Sequence, residues 1–322
     1  MVTVLFMLLP DSLIMDWAGP AEALRIANQL AQRQGQSEPF ALRFAGPQAS
    51  CATSVGIHIS GLEPLPHSLP DGPCWIILVG RPGQEMATDD ANTETLLTWL
   101  RNLTLHNGRT ELVTICAGAV LAAHAGLLSG RRATTHHHHL DELQRAEGGC
   151  MVVRNRVFVS DGPVWSSAGV TTGLDLILHR IGLLCGPALA AQVAQNMVVA
   201  MRRGPDDPEL SPFLAYRNHI HPALHRVQDA VTQAPQQDWT VPSMAAIAHT
   251  SPRHLTRLFI EYGGIAPLQY LRRIRLAVAQ TALRSGNNVT QAAATAGFSS
   301  DTQLRRAWQH FGLAGTPSAL AA

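Results

Sequence analysis

The run Thr114-Ile-Cys-Ala-Gly-Ala119 places a cysteine between an apolar segment and a stretch of small, helix-forming residues. A residue at such a strand-to-helix turn stands at the top of a sheet, and the positive end of the following helix favours a thiolate there. The backbone N–H of Ala117 would face a developing oxyanion, with a second donor expected near Gly80 in Val79-Gly-Arg-Pro-Gly83. His136, twenty residues downstream of Cys116, is the expected base, and Asp16 and Glu22 bring carboxylates to the same rim. Cys51, Cys74, Cys150 and Cys185 lack this context and are read as inert buried thiols. Five widely spaced cysteines with no Cys-x-x-Cys fit a reduced protein rather than a disulfide framework or a zinc site. The histidine tract at 136–139 does not alter that. Four consecutive side chains diverge in a helix or a strand, so at most two reach one ion, and neither a metal nor a cofactor is expected.

A second set of residues suits nucleic acid. Segment 248–259, Ala-His-Thr-Ser-Pro-Arg-His-Leu-Thr-Arg-Leu-Phe, aligns with segment 296–308, Ala-Gly-Phe-Ser-Ser-Asp-Thr-Gln-Leu-Arg-Arg-Ala-Trp, which has one extra residue. Each follows a run of small residues, turns, and restarts at a serine cap: Ser251 before Pro252, and Ser299 or Ser300 before Asp301. A short helix, a tight turn and a second capped helix make a helix-turn-helix unit. Gly297 supplies the turn in the second copy, and His249 takes that place in the first. Each second helix has an apolar face (Leu255, Leu258, Phe259; Leu304, Ala307, Trp308). Its polar face holds Arg253, His254, Thr256 and Arg257 in one copy, and Thr302, Gln303, Arg305 and Arg306 in the other. Arginine reads guanine, glutamine reads adenine, and hydroxyls suit phosphates, so these residues with Ser251 and Ser300 are the expected DNA contacts. The helix expected at 267–283 is roughly 26 Å long, which lets two such units reach major grooves about 34 Å apart. Arg272, Arg273 and Arg275 on it fit either a phosphate-tracking row or a solvated face.

These residues need a scaffold. Buried strands are expected at 2–9, 40–45, 75–79, 112–115 and 157–160, alternating with helices at 20–34, 90–102, 117–125, 172–184 and 188–201. That alternation implies an α/β sandwich with a largely parallel sheet, its functional residues beyond the carboxyl ends of the strands. Residues 203–212 carry three prolines and a glycine, and no strand pattern follows them. The expected organisation is an α/β domain at 1–203, a linker at 204–212 and an all-α domain with two helix-turn-helix units at 213–322.

Charge follows the same division. The 322 residues carry a net charge of +1, which taken alone argues against a polyanionic partner. Residues 1–209 hold 14 arginines against 19 acids, whereas residues 210–322 hold 10 against 4. No lysine occurs, so every cationic contact must be a guanidinium fork. With 46% hydrophobic and 15% charged residues, the chain is neither disordered nor fibrous. The apolar start at 2–9 is too short to span a bilayer and lacks a basic flank, so no membrane association and a cytoplasmic location are expected.

Over residues 1–203, the runs Met15-Asp-Trp-Ala-Gly-Pro-Ala-Glu22, Cys116-Ala-Gly-Ala, Arg131-Arg-Ala-Thr-Thr-His136 and Ser167-Ala-Gly169, with Asp175, resemble the ThiJ/PfpI, glutamine-amidotransferase-like superfamily. Over residues 220–320, Trp239-Thr, the Ser-Pro-Arg-x-Leu-x-Arg-Leu-Phe run, Gly264-Ile-Ala-Pro267 and Ala296-Gly-Phe-Ser299 resemble an AraC/XylS-type DNA-binding domain. The pair resembles the GlxA-like transcription regulators. That resemblance implies a flavodoxin-like first domain that senses a small metabolite, often an amino acid or a quaternary amine. It also implies dimerisation through that domain and binding to double-stranded operator DNA. Gly80-Arg81 stands where such domains carry Gly-Gly, and an arginine there would charge the pocket mouth and suit a carboxylate ligand. The expected function is therefore that of a regulator and not an enzyme. The alternatives are a cysteine-dependent hydrolase, hydratase or amidase using Cys116, and a redox sensor in which Cys116 is oxidised.

Overall fold

Apolar runs of four to six residues become strands where both faces are covered, and the first two hundred residues build one sheet from such runs. A computed structural model describes residues 1–199, 202–313 and 315–321. In the unit Met1–Glu209 the chain forms β1 (Val2–Met7), α1 (Ile14–Arg33), β2 (Phe40–Ala45), β3 (Ser50–Ala52), β4 (His58–Ser60) and β5 (Cys74–Leu78). It continues through α2 (Ala91–Arg101), β6 (Thr110–Ile115), α3 (Gly118–His124), β7 (Arg132–Ala133), a 3₁₀ turn (His137–His139), α4 (Leu140–Ala146) and β8 (Met151–Val152). The unit closes with β9 (Phe158–Asp161), β10 (Val164–Ser167), α5 (Thr171–Cys185) and α6 (Pro187–Asn196). The helix expected at 188–201 runs past α6 to residues 200 and 201, which lie outside the described residues.

The main sheet has the order β2-β1-β5-β6-β10-β9, parallel throughout except for the β10–β9 pair. This is the flavodoxin-like parallel-sheet sandwich expected from the sequence, with one correction. The run at 157–160 is the antiparallel edge strand β9, and the fifth parallel strand is β10, which lies in a short segment with two serines. The Gly162-Pro163 turn, with Gly162 at φ 57°, folds one onto the other. β5 and β6 are buried along their whole length, with Ile76, Ile77, Leu112 and Val113 fully enclosed. The parallel strands end at Met7, Leu78, Ile115 and Ser167, so the loops that follow gather at one edge.

Helix α1 starts six residues before the expected 20, so Pro20 sits inside it and Asp16 falls in its first turn. Arg180 on α5 is buried against Glu111 on β6, its guanidinium 3.7 Å from the Trp75 ring centroid and 4.8 Å from that of Trp165. In the stretch read as linker, Arg203 holds Asp175, its backbone N–H 3.0 Å from Oδ1, while Val157 N–H donates to the Asp207 carbonyl at 3.0 Å. Residues 203–209 are thus fastened to the first unit.

The unit Leu210–Ala322 is helical: α7 (Pro212–Ala215), α8 (Pro222–Gln233), α9 (Val241–Ile247), α10 (Pro252–Gly263), α11 (Pro267–Arg284), α12 (Val289–Ala296), α13 (Asp301–His310) and α14 (Pro317–Leu320). Two apolar clusters form around α11. Tyr270, Leu271 and Ile274 pack with Leu224, Met244, Leu255 and Phe259. Leu276, Ala279 and Leu283, further along, pack with Ala292, Ala296, Leu304 and Trp308. One helix therefore serves as the shared wall of two small bundles. Arg275 on that helix donates to the carbonyls of Pro235 and Gln237, each at 2.8 Å, and Arg273 stacks 4.3 Å from the Phe311 ring. Of the three arginines read as a row, only Arg272 is exposed; the row is a correction, because the other two guanidinium groups serve packing.

Candidate functional site

The elbow at Cys116 is built by three strand ends. Cys116 follows β6 directly and precedes α3 by two residues, at φ 56°, a left-handed conformation that costs a side-chain-bearing residue free energy. Its N–H donates to the Ser167 carbonyl at 3.2 Å, and its own carbonyl accepts the Thr135 hydroxyl at 2.7 Å. The loop after β10 comes so close that a Cβ on Gly169 would lie 2.4 Å from the Cys116 Cβ. A Cβ on Gly80 would lie 2.9 Å from the Ala117 nitrogen, so only glycine fits at either position.

Asp16 sits at the centre of this cluster, fully buried. Its Oδ1 accepts the Val170 N–H at 2.8 Å and its Oδ2 the Gly80 N–H at 3.2 Å, and the Cys116 thiol donates a further hydrogen bond to it. Burial pushes the carboxyl up to about 6 despite these bonds from Val170, Gly80 and Cys116. Val170 is itself left-handed, at φ 51°, which is rare for a β-branched residue.

Several expectations need correction here. The Cys116 thiol is not poised as a thiolate. Burial raises its pKa far above that of a free cysteine, the Asp16 charge adds to the effect, and the Ala117 N–H offsets only part of it. Gly80 has its N–H on Asp16 and is not a free oxyanion donor. Arg81 does not charge a pocket mouth. Its Nη1 donates to Asp90 Oδ2 at 2.7 Å and to Thr93 Oγ1 at 2.9 Å, at the start of α2. Burial there opposes the Asp90 charge, yet the bonds from Arg81 and Thr93 hold that carboxyl down at about 2. Glu22 is exposed and paired with Arg25. Six residues along a helix turn it by about 240° from Asp16, off the site's face.

His136 does not partner Cys116 in the described contacts; the thiol's partner is Asp16. Burial, reinforced by the neighbouring histidines, lowers the His136 pKa to about 4, too low for a base that operates near neutrality. Divergence of the tract is also corrected. Residues 137–139 form a 3₁₀ turn, and the His136–His137 and His137–His138 ring centroids lie 4.1 and 4.3 Å apart. Sequence reasoning missed Val170, Thr135 and Glu209. His137 Nδ1 lies 2.7 Å from Glu209 Oε1, and a lone acid in a proline-rich stretch carries no signal of that contact.

In the second unit, α9–α10 and α12–α13 are two helix-turn-helix pairs. His249 and Gly297 occupy the equivalent turn positions, and both are left-handed, at φ 53° and 81°. Ser251 accepts the His254 N–H and Ser300 the Gln303 N–H, each at 3.2 Å, so both serines cap the second helix of their pair. Arg253, Arg257, Thr302, Gln303, Arg305 and Arg306 are exposed, while His254 and Thr256 are half-buried. The Thr256 hydroxyl bonds back to the Pro252 carbonyl at 2.9 Å, and His254 Nδ1 accepts from Arg257 at 2.9 Å. Arg305 reaches Ser318 Oγ at 2.9 Å.

Residues 4–182 match the family model of the DJ-1/PfpI family, and residues 244–319 match that of a helix-turn-helix domain. The chain is 31% identical to the HTH-type transcriptional regulator GlxA of Rhizobium meliloti (strain 1021), covering 98% of this chain and 94% of that protein. It is 29% identical to the HTH-type transcriptional regulator CdhR of Pseudomonas aeruginosa, over 94% of this chain and 87% of that protein. Among solved structures, a ThiJ/PfpI family protein from Pseudomonas syringae shares the fold, with a TM-score of 0.53 at 19% identity over 76% of this chain and 88% of that one.

Proposed function

The chain belongs to the DJ-1/PfpI family, among those members that carry a helix-turn-helix domain and regulate transcription, and from that premise we propose how its two units divide the work. The second unit binds double-stranded operator DNA, with α10 and α13 entering adjacent major grooves. The state of the arginines carries this reading. In the first unit eight of the 14 arginines (Arg25, Arg43, Arg81, Arg101, Arg145, Arg154, Arg180 and Arg203) hold a carboxylate, and in the second Arg217 holds Asp229. In the second, Arg253, Arg257, Arg272, Arg305 and Arg306 are exposed and form no ion pair among the described residues. A guanidinium without a carboxylate is free to neutralise a phosphate or to fork onto a guanine. Selection of bound duplexes from a random pool tests this. The expected result is a motif with two elements about one helical turn apart, and a pool that shows no enrichment would overturn it.

The first unit senses a small metabolite, an amino acid or an amine, at the cluster of Asp16, Gly80, Cys116 and Val170. A buried carboxylate attracts an ammonium group, and a ligand that takes over Asp16 releases the Val170 and Gly80 amides. Such a ligand shifts the unit between two arrangements, and its effect on DNA affinity is reciprocal. In a thermal-shift screen, an amine that raises Tm is expected to change operator affinity too; one that does the first without the second sinks the coupling. Dimerisation through the first unit, suited to a repeated or palindromic operator, completes the proposal and is read by light scattering. Free cysteines support a cytoplasmic setting. Among the described residues no helix is long and apolar enough to cross a membrane. A hydrolase, hydratase or amidase reading is less well supported, because the thiol is protonated and the Gly80 donor is engaged.

A further inference from the structure

We propose that His136, His137 and His138 bind one divalent transition-metal ion of the zinc, nickel or copper class, with Glu209 as the residue that orients His137. One potential donor atom from each of the three side chains lies within 4.8 Å of the other two, and the rings are half-buried or exposed. A tetrahedral ion with metal–nitrogen bonds of about 2.0–2.1 Å needs nitrogens about 3.4 Å apart, which small side-chain rotations of such rings supply. Imidazole donors suit zinc, copper and nickel, and three of them leave a coordination position for water or a small ligand.

The surroundings are those of a ligand set held from behind. His137 Nδ1 lies 2.7 Å from Glu209 Oε1, and the same oxygen accepts the His137 backbone N–H at 3.0 Å. A carboxylate at Nδ1 keeps the proton on that nitrogen and leaves the Nε2 lone pair free for a metal. Glu209 is 8% exposed, so the contact is shielded from solvent. The fourth histidine is drawn away: His139 is buried, with Nδ1 2.6 Å from Glu142 Oε2, while Glu142 Oε1 accepts the Met86 N–H at 2.6 Å. The tract is thus divided into three converging rings and one structural ring, each group with its own carboxylate.

The test is isothermal titration of the full-length, chelator-treated chain with Zn(II), Ni(II) and Cu(II). The wild type is expected to bind one equivalent of at least one ion, and His136→Ala/His138→Ala to lose at least a hundredfold in affinity. Glu209→Gln is expected to weaken binding by about 10–100-fold without abolishing it, as loss of an orienting partner does. His138 is exposed, so His138→Gln alone provides a fold-neutral variant and is expected to weaken binding as well. Failure of the wild type to bind, or equal binding by wild type and His138→Gln, would overturn the site. A Glu209→Gln affinity equal to wild type would overturn the orienting role.

Discussion

Val170 donates its backbone N–H to Asp16 Oδ1 at 2.8 Å across 154 positions of sequence, and does so from a left-handed conformation. The bond fastens the loop after β10 to the first turn of α1. The same carboxylate takes the Gly80 N–H and the Cys116 thiol. One buried acid therefore holds three strand ends together, and its protonation state sets how well it does so.

For this reason stability should fall as the pH rises through about 6. Burial, outweighing the bonds from Val170, Gly80 and Cys116, raises the Asp16 pKa from 3.8 to about 6. An acid whose pKa is raised on folding contributes stability that is full below the unfolded value and is lost as pH rises through the folded one. Two pKa units correspond to about 3 kcal/mol. Asp16→Asn mimics the protonated acid, so it should be more stable than wild type at pH 7.5 and equal to it near pH 4. Urea melts across that range measure the difference, and a less stable variant at pH 7.5 would show that the charged form is the one the fold prefers.

Cys116 should be the slow thiol. Burial first, and the Asp16 charge second, raise its pKa, whereas Cys185 is only half-buried. Brief treatment of the native chain with iodoacetamide at pH 8, followed by peptide mass spectrometry, should find Cys185 alkylated and Cys116 untouched until denaturant is added. Early alkylation of Cys116 would revive both the enzyme and the redox-sensor readings.

How much of this site could be read from residue types alone differs from part to part. The elbow was legible because a cysteine between an apolar run and small residues has few other uses. The left-handed turn at His249 was legible because its copy carries glycine. The partner of the thiol was not. His136 looked like the base because histidine titrates near neutrality, but burial and three adjacent rings lower its pKa, and Asp16 reaches the sulfur instead. Arg81 and Glu22 were misplaced for a similar reason. Residue type does not reveal that a nearer partner, Asp90 or Arg25, has already engaged the charge. The convergence of three consecutive histidines needed a 3₁₀ turn that no spacing rule signals.

Removing single guanidinium groups from the second unit should act differently at different positions. Arg253→Ala and Arg305→Ala remove exposed groups from the first turn of α10 and the middle of α13. Each should weaken operator binding by about 1–3 kcal/mol and relax base preference at one position if it reads a base. If it holds a phosphate, the dependence of log K on log salt should lose about one unit of slope with preference unchanged. Arg275→Ala should instead lower stability, because its bonds run to the Pro235 and Gln237 carbonyls. Footprints over a salt series separate these cases, and wild-type affinity in both Arg253→Ala and Arg305→Ala would remove α10 and α13 from the interface.

In the core of the first unit, Arg180→Met should cost about 3–5 kcal/mol by leaving Glu111 buried without its ion-pair partner, with only the Gly108 N–H at 3.0 Å still bonded to it among the described residues. Adding Glu111→Leu should restore much of that loss, because two apolar residues have no charge to desolvate. Trp75 and Trp165 flank the guanidinium, so tryptophan fluorescence reports the transition directly. No recovery in the double variant would mean that stacking on the two indoles, and not charge pairing, dominates the site.

The two turn positions should respond in opposite directions to a change of Cβ. His249 carries a side chain at φ 53°, so His249→Gly removes strain of about 1–2 kcal/mol, partly offset by the greater entropy of glycine in the unfolded chain, and should leave a small net gain. Gly297 has the same conformation but no room: a Cβ there would lie 2.5 Å from the Gln236 Cα and 3.0 Å from the Pro235 carbonyl oxygen. Those are backbone atoms of the loop that Arg275 clamps, so they yield poorly. Gly297→Ala should cost at least about 2 kcal/mol, the sum of backbone strain and overpacking. It should also loosen the second helix-turn-helix pair against that loop. Thermal melts of both variants, paired with operator affinity, decide the matter: equal and opposite shifts would mean that φ alone controls the turn, whereas a larger loss at Gly297 with weakened DNA binding identifies the Gln236 contact as what holds the second reader in place.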